Sequence, residues 1–179
     1  DFMKKKHAVV KKLGMKALYH GLEPHWLSER VYEKHPEWRG ARCDNSLRTT
    51  GMYFAPNVHH PEVLGLYRQA VREIVRECPL VDTFSFHTND CGAGYPWEGR
   101  LYVNPNGPTG YADRDMGYCV RDFLRAMRAG AADAGVDARV FTATYGWFTP
   151  DETHLILRSL EPGIGVIAVS YTHLRAHET

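Results

Sequence analysis

Apolar and polar positions alternate over residues 83–86, Thr-Phe-Ser-Phe, within a run that begins at Val81. A period of two, carried by β-branched and aromatic residues, predicts a strand over 83–88. Three more stretches read as strands: 15–20 (MKALYH), 139–145 (RVFTATY) and 164–169 (IGVIAV). Between them the period lengthens. Residues 61–78 are apolar at 63, 64, 67, 70, 71, 74, 75 and 78, a helical stripe. Pro61 suits its first turn and Pro79 stops it. A second helix is predicted over 115–134, closed by Gly135, and a third over 150–160, with Thr149 as its cap before Pro150. A basic amphipathic helix precedes the first strand and breaks at Gly14.

Strands that alternate with helices argue an α/β fold, with parallel strands and right-handed crossover helices. Barrel and open-sheet versions both fit the pattern. Two connections are long, 21–60 after the first strand and 89–114 after the second. Long loops are usually functional, and these two follow strands, which puts them on the face where a barrel carries its active site. No short repeat and no low-complexity linker divides the chain, so residues 1–169 read as one domain or part of one.

Composition narrows the class. Of 179 residues, 44% are hydrophobic, 24% charged and 12% aromatic, ordinary for a globular domain with a substantial core. A net charge of +1 gives no reason to expect nucleic acid. The lysines at 4–6, with Lys11 and Lys12, read as a solvated helix face. No run of about 18 apolar residues exists to span a membrane as a helix. The start, DFMKKKHAVV, lacks a signal peptide's apolar core and falls mid-pattern, so the true N-terminus is expected to lie upstream. Cys43, Cys78, Cys91 and Cys119 show no CxxC spacing and read as free thiols. The turn-rich segment 102–111 (YVNPNGPTGY) lacks the phosphate-loop signature and reads as a rim over a pocket. No cofactor and no metal are expected.

Chemistry concentrates where the 83–88 strand stops. His87, Thr88, Asn89 and Asp90 follow in succession, and a glycine-bearing loop with Tyr95 and Trp97 comes after them. Asp90 is the best single candidate for a catalytic group. Its competing reading is an Asx-type turn ahead of Gly92.

The segment LGMKALYHGLEPHWLSERVYEKHPEWRG resembles a pattern of bacterial and metagenomic glycoside hydrolases of the (β/α)8-barrel type. In that group a strand leads through a Glu-Pro pair, here Glu23-Pro24, to a turn matched by His35-Pro36-Glu37-Trp38-Arg39-Gly40. A helix start follows, matched by Pro61-Glu62-Val63 with Tyr67, and then a strand entry, matched by Pro79-Leu80-Val81-Asp82-Thr83-Phe84. The strand delivers an acid, as in alpha-glucuronidases and hexosaminidase-like barrels, and that position falls to Asp90. The pattern usually has Glu there; the shorter Asp implies a different distance to substrate. The resemblance covers roughly residues 3–169 and implies a partial (β/α)8 (TIM) barrel of about four βα units. A full barrel takes about 250 residues. Residues 170–179, SYTHLRAHET, resemble a translated sequencing adapter, so they are expected not to be native and are set apart from the fold.

The implied activity is hydrolysis of O-glycosidic bonds by carboxylate acid/base chemistry, with a carbohydrate as partner. One carboxyl must donate a proton to the leaving oxygen while another supports the nucleophile. Burial beside apolar neighbours keeps a donor protonated, and Phe86, Tyr95 and Trp97 flank Asp90 in sequence. Glu23, His87, Asn89, Trp97 and Trp147 are the expected sugar contacts. Their competing readings are a surface ion pair for Glu23 and structural hydrogen bonds for His87 and Asn89. Trp26, Trp38, Tyr95, Trp97, Tyr102, Tyr145 and Trp147 fall in or beside strand-end loops, where flat rings stack on sugar faces. The second carboxylate is expected on a part of the barrel beyond these strands.

Two rival classes remain. A metal-dependent barrel hydrolase or isomerase would draw ligands from His20, His59, His60, His87 and Asp90. Against it, no His-x-His pair ends a strand, and His59-His60 precedes a helix. A non-catalytic carbohydrate-binding module would keep the aromatic platform without a working acid pair.

Overall fold

In the computed structural model of the chain, the described residues are 2–21, 24–42, 51, 53–87, 116–144 and 150–168. Helix α1 (Phe2–Lys12) ends at Gly14, whose φ of +66° is the left-handed stop a glycine tolerates, and leads into β1 (Ala17–His20). Then come α2 (Glu29–Lys34), a 3-10 turn (Pro36–Trp38), β2 (Arg39–Arg42), β3 (Phe54–Pro56) and α3 (Pro61–Glu77). The chain continues through β4 (Val81–His87), α4 (Met116–Asp133), β5 (Arg139–Thr144), α5 (Pro150–Ser159) and β6 (Ile164–Ala168). Each strand and helix read from the sequence is present, with ends shifted by one or two residues. Thr149 lies outside the described residues.

The stretch 21–60 departs from expectation. It reads as a loop, yet it holds α2, the 3-10 turn and the antiparallel pair β2–β3. These elements are too short to show a period and stand on tertiary contacts instead. The Tyr32 hydroxyl donates to the Phe54 carbonyl at 2.7 Å. The Arg39 guanidinium lies over the rings of Tyr32 and Phe54, at 5.0 and 4.7 Å, and pairs with Glu29. Gly40 backs onto the next strand so closely that a Cβ would stand 2.6 Å from the Ala55 carbonyl oxygen.

Four strands, β1-β4-β5-β6, form one sheet, with all three neighbouring pairs parallel. Their order in the sheet follows their order in the chain. Parallel partners present side chains to the same face, and the register aligns Tyr19, Phe84, Val140 and Ile164. Phe84, Val140 and Ile164 are buried in one cluster with Val63, Val71 and Val75 of α3, with Phe123, Leu124 and Met127 of α4, and with Ile156 of α5. These helices therefore cover a single face. A doubly wound sheet reverses direction and covers both faces. One-way winding with helices on one side is the wall of a (β/α)8 barrel, here a partial barrel.

Helix spacing is set by two glycines. A Cβ at Gly117 would lie 2.4 Å from the Leu155 carbonyl oxygen, so α4 and α5 touch backbone to backbone. Ser159 fastens that contact by donating to the Gly117 carbonyl at 2.7 Å. At Gly130, a Cβ would stand 2.2 Å from the Arg68 carbonyl oxygen of α3. A fully buried Phe, Leu or Met contributes roughly 1.5–3 kcal/mol over its exposed state, so such close approach matters for the whole layer.

Helix α1 buries none of its residues and meets α3 through Lys4 and Glu77, 2.7 Å apart. The basic run is thus a solvated face. Cys78 is a free thiol and Cys119 is fully buried; Cys43 and Cys91 lie outside the described residues. Among the described residues, no helix is long and apolar enough to cross a membrane.

At the amino edge of the sheet, Asp82 sits 2.5 Å from the Lys16 ammonium and accepts from the Thr83 hydroxyl at 3.0 Å. Burial alone would raise its carboxyl, but the Lys16 and Thr83 hydrogen bonds and the charge of Arg139 outweigh it, holding the group below its ordinary 3.8. A depressed carboxylate stabilises the fold above its unfolded-state pKa, and that contribution is lost as pH falls through the folded value. Asp82→Asn is therefore expected to lower Tm at pH 7, and the gap to the parent chain should close below pH 3.8. Thermal melts across that range check it; a gap that stays constant would exclude the ion pair as its source.

Candidate functional site at the carboxyl edge of the sheet

Parallel strands end on a common edge, and the described backbone sets its outline. β1 stops at His20, level with Ser85; β4 runs on to His87, level with Ala143; β5 stops at Thr144, level with Ala168. The face turned away from the helices carries successive rows. Leu18, Thr83 and Arg139 form the lower and His20, Ser85, Phe141 and Gly165 the upper, and the backbone register continues to His87, Ala143 and Ile167. Phe141 lies across the strand onto Gly165, where a Cβ would meet its ring at 2.7 Å. Thr83 and Ser85 are buried on this face, and Arg139 donates to the Thr83 hydroxyl at 3.2 Å.

Of the residues expected to carry chemistry, His87 is placed through its backbone, at the end of a strand paired on both sides. Glu23, Asn89, Asp90, Trp97 and Trp147 lie outside the described residues, as do Tyr95, Tyr102 and Tyr145. Trp26 is exposed just past β1, 4.8 Å from the Tyr53 ring and 5.7 Å from His25. That ring pair is available for stacking. Trp38 is not: it packs against the core, stacks on His35 and donates to Glu62.

Among the described residues, His20, His59 and His60 form no three-donor cluster. His20 ends β1, whereas His59 and His60 sit in the turn that opens α3. His59 is buried there, its backbone N–H donating to Asn57 Oδ1 at 3.1 Å. Among the described residues the three-donor cluster is a different one, His35, Glu37 and Glu62, with donor atoms all within 4.8 Å of one another. His35 Nδ1 lies 3.3 Å from Glu37 Oε1. The Glu37 carboxyl is held below its ordinary value chiefly by a hydrogen bond from its own backbone N–H, with help from His35 and His60. The sequence showed this cluster only as a turn motif and a helix start; the His-x-Glu spacing beside Pro36 was the available signal.

A hollow of about 200 Å³ lies between β3 and α3, lined by Leu27, Pro56, Val63, Leu66, Tyr67 and Ala70. Its apolar walls offer little to sugar hydroxyls.

No protein-family model matches the sequence, and no curated protein matches it. Among solved structures, the chain shows a weak likeness to several glycoside hydrolases. An alpha-galactosidase of Geobacillus stearothermophilus in complex with raffinose is 13% identical, covers 84% of this chain and 20% of its own length, and superposes with a TM-score of 0.45. The alpha-galactosidase from Lactobacillus brevis is 16% identical, over 88% of this chain and 23% of its own, at 0.44. A family 20 beta-N-acetylglucosaminidase is 10% identical, over 93% of this chain and 37% of its own, at 0.47. The chain thus spans well under half the length of each. Likeness at this level assigns no reaction.

Proposed function

We propose that the chain is part of a (β/α)8-barrel glycoside hydrolase that cleaves O-glycosidic bonds, with Asp90 as general acid. The observation that carries the reading is the one-way parallel sheet with its helices on one face, which gathers the strand ends into a single carboxyl edge. Asp90 follows His87, the last residue of an inner strand, by three positions. Barrels carry their catalytic residues at such strand ends. His87 and Asn89 supply hydrogen bonds to sugar hydroxyls, Trp97 and Trp147 stack on the ring, and Glu23 accepts from hydroxyls at the outer wall. A second carboxylate, on strands that continue this sheet, completes the pair.

Acid and partner then divide the work. Asp90, as the protonated acid of this reading, donates to the departing oxygen, and the partner acts as nucleophile or as base toward water. The test is a panel of aryl α- and β-glycosides, offered to the protein with its barrel complete, with and without a chelator. Turnover that survives chelation supports carboxylate chemistry. Turnover abolished by the chelator favours the metal-dependent class, and saturable sugar binding without turnover favours a binding module.

A further inference from the structure

We propose that His35, Glu37 and Glu62 form a binding site for a divalent zinc-type cation, which clips the 29–56 insertion to the first turn of α3. This site is separate from the proposed sugar chemistry and uses none of its residues. His35 stands at the N-cap of the 3-10 turn and Glu37 within it, and Glu62 stands in the first turn of α3. Trp38 links the two sides. Its ring stacks on His35, with centroids 3.9 Å apart and planes 12° from parallel, and its indole N–H donates to Glu62 Oε2 at 3.0 Å, a bond between residues 24 apart in the chain. One aromatic residue thus orients both the imidazole and a carboxylate, the outer-shell arrangement that fixes metal ligands.

Electrostatics and geometry point the same way. Two carboxylates share a small space beside one imidazole, and like charges at this range repel. A dication neutralises the pair. His60, at the N-cap of α3, bears on the Glu37 carboxylate, and its Nδ1 is buried without a hydrogen-bond partner. Bonds of about 2.0–2.2 Å to a tetrahedral ion bring donors to roughly 3.3–3.6 Å apart. The present spread, up to 4.8 Å, closes by rotation of the exposed Glu37 and Glu62 side chains. One nitrogen and two oxygens suit Zn2+, with water at the fourth position; Ca2+ and Mg2+ ask for more oxygens and no imidazole.

Calorimetric titration of the chain with ZnCl2, and with CoCl2 read by visible absorption, tests the site. We expect one equivalent bound in the micromolar range with a tetrahedral-type Co2+ band. At about a hundredfold excess over Kd, Tm should rise by about 5 °C or more. Glu37→Gln and Glu62→Gln should each weaken binding about tenfold or more, and His35→Ala should remove the Co2+ band. His25→Ala and His154→Ala, exposed imidazoles elsewhere, should change neither readout. If His35→Ala loses its fold along with the stack on Trp38, the two isosteric Gln variants decide alone. Absence of saturable binding at millimolar Zn2+, or undiminished binding in the Gln variants, overturns the site. Glycoside turnover enters none of these readouts.

Discussion

Gly130→Val is expected to cost about 3 kcal/mol or more and to lower Tm by roughly 6–12 °C. Even a single Cβ at this position stands 2.2 Å from the Arg68 carbonyl oxygen, and backbone cannot swing aside as a side chain does. Relief requires α3 and α4 to part, which loosens Phe123 from the Tyr67 ring it meets edge-on at 4.8 Å. It also lengthens the Arg68–Asp133 pair, whose oxygens now lie 2.6 and 2.7 Å from the guanidinium. Gly65 in α3 supplies the control, because a Cβ there meets nothing within 4 Å. Gly65→Ala should stabilise by about 0.5–1 kcal/mol through helix propensity alone. Urea and thermal unfolding of both variants measure the contrast. A Gly130→Val chain as stable as its parent would mean that the two helices do not meet as described.

Asp90→Asn, in the protein with its barrel complete, is expected to lower glycoside turnover by about 10²–10⁴-fold while leaving Tm unchanged. The amide keeps the shape of the carboxyl and loses the transferable proton. Loss should depend on the leaving group. An aryl alcohol acidic enough to depart unaided needs little protonation, so its rate should fall least; a poor leaving group should suffer most. The basic limb of the pH–rate profile, which reports the acid losing its proton, should vanish with the substitution. Equal loss on every substrate would recast Asp90 as nucleophile or base, and unchanged rates would remove it from the chemistry.

Much of this fold was legible in the residues themselves. Thr83, Phe84, Ser85 and Phe86 announce a strand by alternation, and Val63, Val71 and Val75 announce the buried stripe of a helix. Gly14 and Gly135 mark helix ends, and both adopt the positive φ that such ends require. Alternation could not decide between barrel and open sheet, because that turns on strand order and on which face the helices cover. The insertion with α2, β2 and β3 escaped for another reason. Its elements are held by Tyr32, Arg39 and Gly40, contacts that exist only once distant segments meet. His35, Glu37 and Glu62 escaped likewise, since Trp38 joins them across the β2–β3 turnback. At the carboxyl edge, His87 falls at the strand end its sequence position foretold, whereas Asp90 and the expected sugar contacts lie beyond the described residues.

A wall that winds in one direction also has a growing side. On the side away from β5, Ile164–Ala168 has no partner strand among the described residues, Leu157 and Ile167 are exposed, and at the far margin Leu18 is exposed on β1. A strand that pairs with Ile164–Ala168 in the same sense runs parallel to it, and the helix that leads into that strand is the one that packs beside α5. A polypeptide supplied in trans to extend this sheet past β6 should therefore carry an amphipathic helix ahead of its strand, in the order that α4 precedes β5 and α5 precedes β6.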